Sequence, residues 1–112
     1  MFKSASDSLT TNFKKPLTRV AKALSDIRGL VIIAGHSDSS PIRTARFKTN
    51  MQLSLARAEA VLNFIQKDVE NPERLQAEGR SDKEPIATNK TAVGRATNRR
   101  IEIVLVREEI LE

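Results

Sequence analysis

Gly35-His36-Ser37-Asp38 brings together, in a row, the three residue types of a hydrolytic triad. Consecutive residues cannot converge on one reacting atom, so this run does not supply nucleophilic catalysis. His36 is the only histidine and there is no cysteine, so zinc would need a largely carboxylate set, and no clustered acidic spacing provides one. No glycine-rich phosphate loop, nucleophile elbow or pair of helical histidines is present. The sequence reads as a non-enzyme, with no cofactor and no metal site.

Opposite charges near element ends remain. Asp38 stands just past the apolar run Leu30-Val31-Ile32-Ile33-Ala34, where open sheets place ligand crevices. Arg57 sits among Ala56, Ala58 and Ala60, whose small side chains leave its guanidinium unobstructed. Such a carboxylate and guanidinium could bind the two ends of a zwitterion, Asp38 accepting from an ammonium and Arg57 gripping a carboxylate. They could instead form an internal salt bridge that ties loop to helix, the reading that spacing alone favours. Asn98-Arg99-Arg100 offers either a second anionic contact or a solvated strand start with one arginine paired to a carboxylate. Arg43, Arg46 and Lys48 either touch a polymer or face water.

The elements that must hold these residues follow from periodicity. Leu17, Val20, Ala21, Leu24 and Ile27 fall at helical spacing, predicting an amphipathic helix that begins between Leu9 and Asn12. Gly29 ends it, and Leu30–Ala34 has the composition of a central strand covered on both faces. His36 to Thr49 lacks periodicity and reads as a loop. Asn50 is placed to cap a second helix, in which Met51, Leu55, Ala58, Leu62 and Ile65 recur on one side. A short strand is expected over Leu75–Glu78, closed by Gly79. A long polar connection with Pro85 then runs from Ser81 to Gly94, with a short helix or loop before the last strand. That strand, Ile101–Val106, alternates so that one face is the more buried. An initial strand ending near Phe2 is a further option. The fold class is therefore an α/β (α+β) sandwich, a small mixed β-sheet with helices packed on one face.

The length of 112 residues suits one domain, read as residues 1–112. A charged fraction of 29% with 39% hydrophobic residues is a globular balance. The net charge of +5 invites a nucleic-acid partner, but the cations are dispersed and no Tyr or Trp is present to stack on bases, so nucleic acid is set aside. No apolar run approaches the roughly 20 residues of a membrane span, and the first residues lack the apolar core of a signal peptide. If the protein works outside the cytoplasm, its signal or anchor is expected upstream.

Four ordered blocks together resemble the C-terminal domains of the OmpA/MotB family: Gly35-His36-Ser37-Asp38; Asn50-x-x-Leu53-Ser54-x-x-Arg57-Ala58; Glu78-Gly79-Arg80-Ser81-Asp82-x-x-Pro85; and Gly94-Arg95-x-x-Asn98-Arg99-Arg100-Ile101-Glu102-Ile103. The resemblance spans nearly the whole chain and implies non-catalytic binding of the diaminopimelate-containing stem peptide of peptidoglycan. It assigns Asp38 and Arg57 to the zwitterionic end of diaminopimelate, with help from Asn50 and from backbone groups near Leu53. The arginines of the last block look structural or peripheral in the family, and Arg99 is carried over on that footing. The wording LSLARA and AEGRSDKEP is closest to the TssL-type proteins of type VI secretion, with flagellar stator proteins second. This implies a periplasmic location as a soluble domain of an inner-membrane-anchored protein. The implied partners are the other subunits of a secretion or motor complex, and a homodimer is also open. Two departures stand out: Ser37 replaces the usual Thr, and Pro41-Ile42-Arg43-Thr44-Ala45-Arg46-Phe47 replaces a shorter loop. The added positive charge could repel a ligand's ammonium or recruit anionic wall components.

Overall fold

The computed structural model describes residues 2, 7–26, 28–40, 47–69 and 71–106. The elements run α1 (Thr11–Ser25), β1 (Leu30–Gly35), α2 (Asn50–Ile65), β2 (Leu75–Gly79), α3 (Ala92–Asn98) and β3 (Ile101–Val106), with two short 3-10 turns, Gln66–Asp68 and Pro72–Arg74, between α2 and β2. The sheet order is β2-β1-β3, β1 pairing parallel with β2 and antiparallel with β3. The mixed sheet expected from the sequence is present, with β1 in the centre.

Register explains which apolar residues meet. Val31 lies between Leu75 and Leu105, and Ile33 between Ala77 and Ile103. Val31 and Ile33 are fully buried against Leu17, Ala21 and Leu24 of α1 and Ala58, Val61 and Ile65 of α2. Both helices thus cover the same face. Leu30 and Ile32, which point the other way, are only half-buried. The expectation that β1 is covered on both faces is corrected on this point: among the described residues no helix packs on the second face. On β3 only Val106 is exposed and the remaining residues are all half-buried, because a strand with one described neighbour keeps an open edge.

Helix ends show how local sequence sets boundaries. α1 stops at Ser25, with Asp26 N–H returning to Ala23 O and Leu24 O. Gly29 follows in the left-handed region at φ 117°, where glycine carries no steric cost. Arg74 reaches across to donate to Leu24 O in the last turn of α1 at 2.6 Å and to Gly29 O in the turn that follows at 3.2 Å, tying the helix end to the start of β2. Ile27 lies outside the described residues. The cap of α2 is Thr49, not Asn50 as the sequence suggested: Thr49 Oγ1 accepts from Gln52 N–H at 3.1 Å, and Gln52 Oε1 accepts from Lys48 N–H at 2.9 Å. This is a close relative of the capping box, and the signal was Thr49-x-x-Gln52. α3 falls partly in the stretch read as polar connection, and Thr91 caps it by accepting from Gly94 N–H at 3.0 Å. Of the suggested initial strand, the described part is a single antiparallel bridge between Phe2 and Leu9.

Candidate functional site

The C-terminal ends of β1 and β2, the start of β3 and the N-terminus of α2 lie at one edge of the sheet. Backbone bonds extend the ladder there: His36 N–H to Arg100 O at 2.8 Å, Ser37 N–H to Ser81 O at 2.8 Å, and Arg80 N–H to Gly35 O at 2.9 Å. Gly35 lets α2 close on the strand, since a Cβ at that position would stand 2.0 Å from Ser54 O. Ser54 Oγ, fully buried, donates to Met51 O at 3.0 Å and accepts from Ser81 N–H at 3.1 Å. One side chain therefore pins the β2 corner to the helix.

Three residues beyond Gly35 the chain reaches Asp38, and three beyond Ser54 the helix presents Arg57. Asp38 is 7% exposed. Its Oδ1 accepts from Ser40 N–H at 2.9 Å, a local turn that fixes the carboxylate. Its Oδ2 accepts from Arg99 Nη1 at 2.5 Å. The sequence left open a direct Asp38–Arg57 bridge, but the arginine bonded to this carboxylate is Arg99. Arg57 is 3% exposed, and its guanidinium carbon lies 5.4 Å from the centre of the Phe2 ring. Burial pushes its pKa below the ordinary arginine value and the nearby Arg99 adds to this, while Asp38 and Asp7 pull the other way. Arg57, Asp38 and Arg99 thus form one charge cluster.

Asn50 is the first residue of α2, and its Nδ2 donates to Ser40 O at 3.0 Å and Asp38 O at 3.3 Å. Its amide holds the Asp38 loop against the helix, a supporting role that spacing alone did not reveal. Leu53 is buried, and its N–H bonds Thr49 O at 3.1 Å within the helix. Its backbone donor is therefore engaged. Arg43 and Arg46 lie outside the described residues.

Behind Arg99 stands Asn98, wholly buried, whose Oδ1 accepts from Ile86 N–H and Ala87 N–H, both at 2.9 Å. Its Nδ2 donates to Ala87 O at 2.9 Å and to Asn89 Oδ1 at 2.8 Å. Asn89 Oδ1 in turn accepts from Ser39 N–H at 3.3 Å, next to Asp38. The 86–89 loop is thereby tied to the site. In the sequence Asn98 does not stand out from its charged neighbours, because a buried amide that satisfies a loop leaves no periodic trace.

His36 faces a second cluster. It is 1% exposed, with Nε2 3.4 Å from Glu102 Oε1 and Nδ1 4.0 Å from Glu84 Oε2, and neither ring nitrogen is hydrogen-bonded. Burial lowers its pKa from the ordinary value and Arg100 lowers it further, outweighing Glu102 and Glu84. Arg100 bonds Glu102 at 2.6 Å, and Arg80 bonds Glu78 and Glu84, each at 3.3 Å. A cleft of about 450 Å³ adjoins this cluster, lined by Met51, Glu78, Gly79, Arg80, Lys83 and Glu84. Arg80 in that lining is already shared by two carboxylates. Among the described residues, no group of three or more His, Cys, Asp or Glu is placed to hold a metal ion.

Known proteins resemble this chain in sequence and fold. The model of the OmpA family matches residues 1–99. Motility protein B of Bacillus subtilis (strain 168) is 35% identical over 109 residues, which cover 89% of this chain and 41% of that protein. The chain thus spans about two fifths of that relative's length. The cell wall anchor of the type VI secretion system from Pseudomonas aeruginosa superposes with a TM-score of 0.87 at 46% identity, over 96% of this chain and 76% of that one. The C-terminal domain of Helicobacter pylori MotB shares the fold, with a TM-score of 0.86 at 24% identity, over 96% of this chain and 82% of that one.

Proposed function

The chain belongs to the OmpA family, and from that premise we propose that it is a non-catalytic peptidoglycan-binding domain that fastens a membrane-anchored complex to the cell wall by recognising diaminopimelate. The observation that supports this reading is the cluster at the β1 edge, where one nearly buried carboxylate, Asp38, is bonded to Arg99 and lies within electrostatic reach of the buried Arg57. The free end of diaminopimelate bears an ammonium and a carboxylate on one carbon. Asp38 is the acceptor for the first, and the arginines are donors for the second. Asn50 holds the Asp38 loop in place for that contact.

The parent machine is read as a type VI secretion subunit of the inner membrane, working in the periplasm, on the strength of the 46% identity to the Pseudomonas anchor. The 35% identity to a motility protein supports a flagellar stator as the second reading. In both, the partners are the wall and the other subunits of the complex.

The test is a pull-down on purified sacculi with the wild type, Asp38→Ala and Arg57→Ala, each first shown to be folded by circular dichroism. The reading predicts retention of the wild type alone. A folded wild type that stays in the supernatant would sink it and leave a fold that serves as a scaffold for protein partners.

A further inference from the structure

We infer that Arg99 sets the specificity of the pocket, acting as a latch that occupies Asp38 until a ligand brings its own carboxylate. This rests on the wall-binding reading above and adds to it a requirement for a zwitterion. Asp38 has two carboxylate oxygens, one held by Ser40 N–H and the other by Arg99 Nη1. An incoming ammonium must therefore displace or share Arg99.

Suppose the ligand offers an ammonium alone, as a lysine side chain does. Breaking one charge-assisted bond to make another gains little, and it leaves a third cation beside Arg57 and Arg99 at a largely buried carboxylate. A ligand that also carries a carboxylate removes this penalty, because the released Arg99 has a new anion to bond. The Arg99 side chain is 32% exposed, against 9% for that of Asp38, so it is the member of the cluster with solvent on one side. Arg100, the next residue, is directed away, to Glu102 and to Glu84 O. Asn98, the preceding one, is locked by its four bonds. Arg99 thus swings from a fixed base.

The experiment is calorimetric titration of wild type, Arg99→Gln and Arg99→Lys with two probes. One is the tetrapeptide L-Ala-D-Glu-diaminopimelate-D-Ala, and the other is the same peptide with L-Lys at the third position. The wild type is expected to favour the diaminopimelate peptide by roughly tenfold or more. Arg99→Gln should bring the two dissociation constants close together, chiefly by tightening the lysine peptide, and Arg99→Lys should restore most of the preference. A folded Arg99→Gln that keeps the wild-type ratio overturns the latch while leaving the wall-binding reading intact. A wild type that binds neither peptide ends both. Nitrogen NMR of the wild type supplies a readout free of any variant: the Arg99 Nε resonance must move on saturation with the diaminopimelate peptide, and an unmoved resonance refutes the latch.

Discussion

Replacing Asn98 with alanine tests whether the loop behind the site is held by one amide. The side chain makes four hydrogen bonds at 2.8–2.9 Å while fully buried, to Ile86 N–H, Ala87 N–H, Ala87 O and Asn89 Oδ1. A net bond of this kind is worth about 1 kcal/mol, so four amount to about 4 kcal/mol. Ile86 is 62% exposed, and its freed N–H can be rehydrated. Ala87 and Asn89 are half-buried and recover less. The expected loss is therefore about 3 kcal/mol, which in a domain of this size lowers Tm by about 10–15 °C. Thermal unfolding followed by circular dichroism reads this directly. Asn98→Asp sharpens the test at neutral pH, because it keeps the two accepted bonds but turns the two donated ones into contacts between oxygens. It should be at least as damaging as alanine. A fall of less than about 4 °C for Asn98→Ala, equivalent to about 1 kcal/mol, would refute the reasoning. A wild-type-like Asn98→Asp would show that the donated bonds contribute nothing.

Gly35→Ala should be more severe, since its Cβ would stand 2.0 Å from Ser54 O, a backbone atom that cannot move without parting β1 from α2. A loss of at least about 3 kcal/mol is expected in denaturant unfolding, and a loss below about 1 kcal/mol would mean that the two elements slide apart readily. Acid should also destabilise the fold. His36 has its folded pKa below the ordinary 6.5, so its contribution is fully present above 6.5 and declines as pH falls from 6.5 toward the lowered value. Glu102 is lowered from 4.5, first by its bond from Arg100, and its contribution is lost at still lower pH. Melting curves between pH 7.5 and 5.0 should fall for the wild type and flatten for His36→Gln. An equally steep fall in that variant would assign the dependence elsewhere.

Much of this was legible in the sequence, and the reason is periodicity. The apolar spacing of α2 and the unbroken Leu30–Ala34 run identify a helix and a central strand because burial of one helical face or of a middle strand leaves a repeating signature. Asp38 and Arg57 could be singled out because charge beside small residues near element ends is unusual. Their partners could not be read in the same way. The bond from Arg99 to Asp38 joins residues 61 positions apart, and nothing in either local pattern encodes it. Asn98, Ser54 and Asn50 act through side-chain hydrogen bonds, nearly all to backbone, which alter no hydrophobic pattern. The cap was different, since Thr49-x-x-Gln52 was visible and the neighbouring Asn50 was read in its place.

The spacing between Gly35 and Asp38, and between Ser54 and Arg57, has a common physical origin. Gly35 sets the closest approach of β1 to α2 at Ser54. From that point the chain takes three residues to leave the sheet and reach Asp38. On α2, a step of three residues returns to nearly the same face, so Arg57 projects toward the site that Asp38 enters. Widening the contact at Gly35 would therefore separate the two charges as well as loosen the core. The glycine of the first block and the serine of the second therefore set the placement of the two charges as well as the packing. Ser54 adds a third link, because its bond from Ser81 N–H positions the corner whose carbonyl receives Ser37 N–H, one residue before Asp38. Asp38 is thus held from α2 through Asn50, from the β2 corner through Ser37, and from the 86–89 loop through Ser39, while the Arg99 side chain bonded to it is the more exposed of the pair.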